Sequence, residues 1–143
     1  MSDKSNWIER RALREKILDA GGTELWLRVA TVLDDSCTYF NEKYPHLGKL
    51  GNSPGNGHRI VVTMTFAGPR KKVSYVQFQF EEDRRRISVT VDKAATKHFP
   101  IDTDIDERKS RCFVTSASGE RLSVDKFAEV TLEDVLFGEE SGV

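Results

Sequence analysis

Three runs of alternating residues follow one another closely in the middle of the chain, and their connections leave few ways to fold. Ile60, Val62, Met64 and Phe66 alternate with Val61, Thr63 and Thr65; Val76, Phe78 and Phe80 with Tyr75, Gln77 and Gln79; Ile87, Val89 and Val91 with Ser88, Thr90 and Asp92. The joining segments 67–72 and 81–86 are long enough for hairpins. They are too short for a parallel crossover, which takes about a dozen residues. An antiparallel meander with one apolar face results, and that face needs a cover.

Helical patterns at both ends supply it. Trp7, Ile8, Ala12, Leu13, Ile17 and Ala20 fall largely on one side of a helix, and Leu25, Val29, Val32, Leu33, Ser36, Cys37, Phe40 and Tyr44 repeat at spacings of three and four. Gly21-Gly22 stands between the two stripes. A glycine pair costs about 2 kcal/mol of helix propensity relative to alanine, and Thr23 can cap a new helix, so the region 6–44 is expected to hold two helices or one broken one. Near the other end Ser123 is placed to cap a helix over 123–137 carrying Val124, Phe127, Ala128, Thr131, Leu132, Val135 and Leu136 on one face, with Gly138 as its stop.

Between these landmarks the reading is coarser. Residues 47–58 hold four glycines and a proline and are expected to form a loop. The segment 93–110 is charged and lacks strand period, so it reads as an excursion at the sheet's edge, with a helical turn at 93–98 before Pro100. Cys112 to Thr115 reads as a fourth strand, residues 116–119 as a turn, and Leu122 as the start of a short fifth strand. Residues 138–143 are expected to be a disordered tail. The predicted architecture is one α+β domain over 1–143, with the helices on one face of a four- or five-stranded antiparallel sheet spanning 59–122.

Composition excludes more than it selects. With 143 residues, 38% of them hydrophobic, 31% charged and a net charge of -1, nothing global points to nucleic acid or membrane. No apolar run approaches the roughly 20 residues that span a bilayer, and the first residues lead into a charged helix without a signal-peptide core, so the expected location is the cytoplasm. Cys37 and Cys112 both sit in apolar patterns and are expected to be buried, reduced thiols.

Motifs for specific chemistry are incomplete. Asp102, Asp104 and Asp106 alternate like the opening of a calcium loop, yet Glu107 stands where the turn needs glycine and Phe113 where a bidentate glutamate belongs. The glycine-rich 51–57 precedes a strand rather than a helix and has no Gly-Lys-Ser/Thr, so it is not a phosphate loop. His46, His58 and His98 belong to no recognisable catalytic signature. Neither a cofactor nor a metal is expected.

Five residues carry the candidate sites. Trp7 and Trp26 are placed to line a pocket mouth or a subunit interface. Tyr75, Arg84 and Arg86 have the aromatic and basic character of a stacking platform for single-stranded nucleic acid, although the acidic residues 81–83 oppose that field. The expected function is a non-enzymatic binding or adaptor module that associates with itself or with another protein. The alternative is a small-molecule-binding domain, possibly catalytic, with an apolar pocket between sheet and helices; nucleic-acid binding ranks third.

Overall fold

A computed structural model describes residues 3–54, 57–68, 72–92, 94–103 and 112–137, with side chains for all of these except 3–6, 54 and 134–137. Asp3–Lys43 forms one uninterrupted α-helix, α1. The expected break at Gly21-Gly22 is absent, and packing explains why. A Cβ on Gly21 would lie 2.6 Å from Cys112 Sγ, and one on Gly22 would touch the Phe80 ring at 3.5 Å. The two glycines flatten the helix where the sheet comes closest. Their propensity cost of about 2 kcal/mol is offset by burial on either side, since each fully buried leucine contributes about 1.5–3 kcal/mol. Leu18, Leu25, Trp26, Val29, Leu33, Cys37 and Phe40 form that buried seam.

Seven antiparallel strands follow, each paired with its sequence neighbour: β1 Gly48–Pro54, β2 Arg59–Phe66, β3 Val73–Glu81, β4 Arg86–Val91, β5 Lys97–Thr103, β6 Cys112–Thr115 and β7 Arg121–Leu122. The fold is therefore α+β, with two more strands than the upper expectation. The alternation in β2, β3 and β4 carries through to the register. Val62, Val76 and Val91 stand in one cross-strand row, and Ile60, Phe78 and Val89 in the next. A single 3-10 turn, Glu82–Arg84, closes the β3–β4 hairpin, with Arg85 in the left-handed region at φ 49°.

Both extra strands occupy segments expected to be irregular. Most of the glycine-rich 47–58 is the edge strand β1, where glycine and proline are tolerated because one side of the backbone has no strand to pair with. Gly48, at φ +149°, lies so close to the β2 backbone that a Cβ would meet Thr65 O at 2.4 Å. Within the supposed excursion, residues from Lys97 onward run as β5 instead of a helical turn, with Ile101 and Thr103 buried and Phe99 partly buried against the core. Pro100, which has no N–H to give, sits where β5 changes partner: Arg86 to Val89 pair with Lys97 to Pro100, whereas β6 pairs with Ile101 to Thr103. Residues 104–110 and the tail 138–143 lie outside the described residues.

The last helix, α2 (Val124–Phe137), begins as its sequence predicts, with Ser123 Oγ accepting the Lys126 N–H at 3.0 Å. The sheet curls around the helices. α1 packs on β1 at one end and on β5 and β6 toward the other, while α2 covers β3 and β4. Phe127 is the keystone of that second contact, meeting Phe78 and Phe99 edge-on at 6.0 and 5.0 Å between centroids. Among the described residues no helix is long and apolar enough to cross a membrane.

Candidate functional site

The five residues singled out from the sequence do not converge. Trp26 is 3% exposed and belongs to the core; its ring stacks on Phe80 at 5.6 Å, and its Nε1 donates to Gly57 O at 2.7 Å. His58 stacks on Phe80 as well, at 5.5 Å. Trp7 stands nineteen residues earlier on the same helix, about 28 Å away, and is 58% exposed. Tyr75 lies partly exposed on the outer face of β3, while Arg84 occupies the turn beyond that strand's far end, roughly 30 Å along it.

Carboxylates hold the neighbouring arginines. Arg86 Nε donates to Glu81 at 2.7 Å, and Arg85 reaches Glu15 and Asp19 on α1. Two of three cations in the 84–86 cluster are thus bound within the protein, which weakens the nucleic-acid platform.

An arrangement that sequence reading missed lies on the outer face of the sheet. Cross-strand pairing sets Glu81 opposite Arg86 and Ser88 opposite His98. Ser88 is only 5% exposed; its hydroxyl donates to Glu81 Oε1 at 2.5 Å and stands 2.9 Å from His98 Nδ1. The Ser88 hydroxyl is the largest cause holding the Glu81 carboxyl below the ordinary carboxylate range; desolvation opposes it, and Arg86 adds to the lowering. Because the serine proton points to Glu81, His98 must donate from Nδ1 to Ser88 Oγ. That polarity is the reverse of a serine activated by a histidine base, so the trio orients side chains and does not build a nucleophile.

The cysteines are equally unsuited to attack. Both are buried and reduced. Burial pushes the Cys37 thiol up to about 11 and also raises that of Cys112. Cys112 Sγ approaches Ile17 O at 3.5 Å on the inner face, across the sheet from the Ser88–His98 contact. Asp102, first of the calcium-like carboxylates, pairs with Arg14 at 2.6 Å. No group of three or more His, Cys, Asp or Glu among the described residues is placed to hold a metal.

The feature best formed for recognition is a cleft of about 860 Å³ between α2 and the curled end of the sheet. Topology creates it. The β4–β5 register stops at Val89–Lys97, with the Thr90 and Thr96 hydroxyls 2.8 Å apart just beyond it, and residues 94–96 of that connection form walls together with residues 116–118 between β6 and β7. Val89, Val91, Phe99, Leu122 and Val130 contribute apolar lining, with Ala94, Ala95 and Ala117 at the rim. Thr131 also lines the cleft, but its hydroxyl is turned back to Phe127 O at 2.8 Å. Lys97, Lys126 and Glu120 bring charge to a predominantly apolar wall that also includes His98, Thr96, Ser116 and Ser118, and Lys126 Nζ lies 3.2 Å from Glu129.

The chain matches no family model, no curated protein and no solved structure.

Proposed function

We propose that the protein is a binding domain for a small, predominantly apolar molecule held in the cleft between α2 and the β4–β7 end of the sheet. The observation that carries this reading is the cleft's volume of about 860 Å³ together with its valine, leucine and phenylalanine lining. Ligand sites run from roughly 300 to 1,000 Å³ and combine apolar walls with a few polar groups. Here Lys97, Lys126 and Glu120 are those groups. The cleft's lining is chiefly apolar and its histidine, His98, is held to Ser88 through Nδ1, which suits binding better than catalysis.

The test is fluorescence titration with the apolar probe 1-anilinonaphthalene-8-sulfonate against wild type and Val130→Trp, which fills the cleft from its α2 wall. Saturable one-to-one binding by wild type, weakened at least tenfold in the variant, is expected. Equal binding by both proteins, or none by wild type, would sink the reading.

A further inference from the structure

Trp7 and Ile8 stand eighteen residues before Leu25 and Trp26 respectively, which is five turns at 3.6 residues per turn. They therefore share the side of α1 that the sheet buries. Leu25 and Trp26 are 1% and 3% exposed, whereas Trp7 and Ile8 are 58% and 54% exposed. The sheet's cover ends where Arg14 meets Asp102 and Glu15 meets Arg85, so the helix projects past it by about 10 Å. Arg10 and Arg11, three and four residues after Trp7, are its neighbours on the helix surface. The projecting tip is apolar and basic.

The other end of α1 carries the complementary surface. A groove of about 550 Å³ runs between the last turns of α1 and the start of α2, with Val32, Tyr39, Phe40 and Tyr44 as apolar lining and Asp35 and Asp125 as charge. A second hollow, sharing Val32 and Asp125, prolongs it along α2 toward Glu133. The tip cannot reach this groove in its own chain. Trp7 and Tyr39 are thirty-two residues apart on one continuous helix, about 48 Å.

We infer that the tip of α1 docks in the acidic groove of a second copy, so that the protein associates head to tail. Aromatic and aliphatic side chains meet on both surfaces, and guanidinium groups face carboxylates, which makes the contact salt-sensitive. Tip and groove are different surfaces, so the interface is heterologous and extends beyond a dimer unless a ring closes. It uses no residue of the ligand cleft and stands independently of that reading.

Light scattering coupled to size exclusion tests this across the micromolar range. Wild type is expected to gain mass with concentration and to lose it at high salt. Trp7→Ala/Ile8→Ser removes the tip and Asp35→Arg/Tyr39→Lys spoils the groove; all four side chains are exposed, so both variants should keep the wild-type circular dichroism. Each variant alone is expected to be monomeric. Their equimolar mixture retains one tip and one groove, and so should double in mass and grow no further. A wild type that stays monomeric throughout, variants that assemble as wild type does, or a mixture that remains monomeric would each overturn the inference.

Discussion

Asn41 on α1 makes both of its side-chain hydrogen bonds to Leu50 on β1, donating from Nδ2 to Leu50 O and accepting from Leu50 N, each at 2.8 Å. The carboxamide occupies the backbone groups that an incoming strand would use at the centre of this edge. Pro54 at the end of β1 has no N–H to offer. The far edge, β7, is two residues long. Sheet edges are thereby blunted at both ends, which leaves the helix surfaces as the sites for association.

Replacing Asn41 with alanine strands two backbone groups in a partly buried position. A loss of about 1–3 kcal/mol is expected, with increased self-association through the opened edge. Urea midpoints and light scattering on the variant check both parts, and an unchanged midpoint would refute the first.

Gly21 and Cys112 should be energetically coupled. Gly21→Ala gains about 1 kcal/mol of helix propensity but forces its Cβ toward Cys112 Sγ, so a net loss of stability is expected in wild type. In a Cys112→Ala background the obstruction is gone and the same substitution should stabilise. A double-mutant cycle with a coupling below about 0.5 kcal/mol would contradict this contact.

Acid stability should depend on Ser88. Glu81 titrates below its ordinary value of 4.5 when folded, so its contribution is present above that value and is lost as pH falls through the folded one. Ser88→Ala removes the largest cause of the lowering. The variant's urea midpoint should therefore lie below that of wild type at neutral pH and converge on it in acid. Parallel curves down to low pH would show that the Ser88–Glu81 bond does not set the titration.

Thiol chemistry should be silent in the native state. Iodoacetamide at pH 8 is expected to modify neither cysteine in the folded protein and both in urea. Ionisation of Cys37 in the unfolded chain near 9, against about 11 when folded, should also erode stability as pH rises between those values. Rapid labelling without denaturant would place at least one thiol at the surface.

What the sequence disclosed tracks how local each cause is. The β2–β4 hairpins were legible because alternation and short connections are properties of adjacent residues, and the Ser123 cap was legible for the same reason. Gly21-Gly22 was misread because its reason for being glycine, Cys112, lies ninety-one residues away. Among the described side chains of β1 only Leu50 is buried, and its anchor Asn41 belongs to a different element. β5 does alternate through Phe99, Ile101 and Thr103, but the run is short and set in a charged segment that reads as lacking strand period; the partner change at Pro100 makes its missing N–H harmless there. The cleft was anticipated only as a general pocket between layers, since its walls are set by where a register stops.

Strand order identical to sequence order has a kinetic implication. Each hairpin can form from neighbouring residues at small loop-closure cost, so the sheet is able to grow by successive local additions. α1 is different, because its seam is complete only when β1, beside it in the chain, and β6, which begins sixty-nine residues after α1 ends, are both in place. Substitutions such as Leu33→Ala should therefore act mainly on the unfolding rate, a distinction that stopped-flow measurements resolve. Of these elements α1 stands first in order, and by this topology it is the one whose burial is finished last.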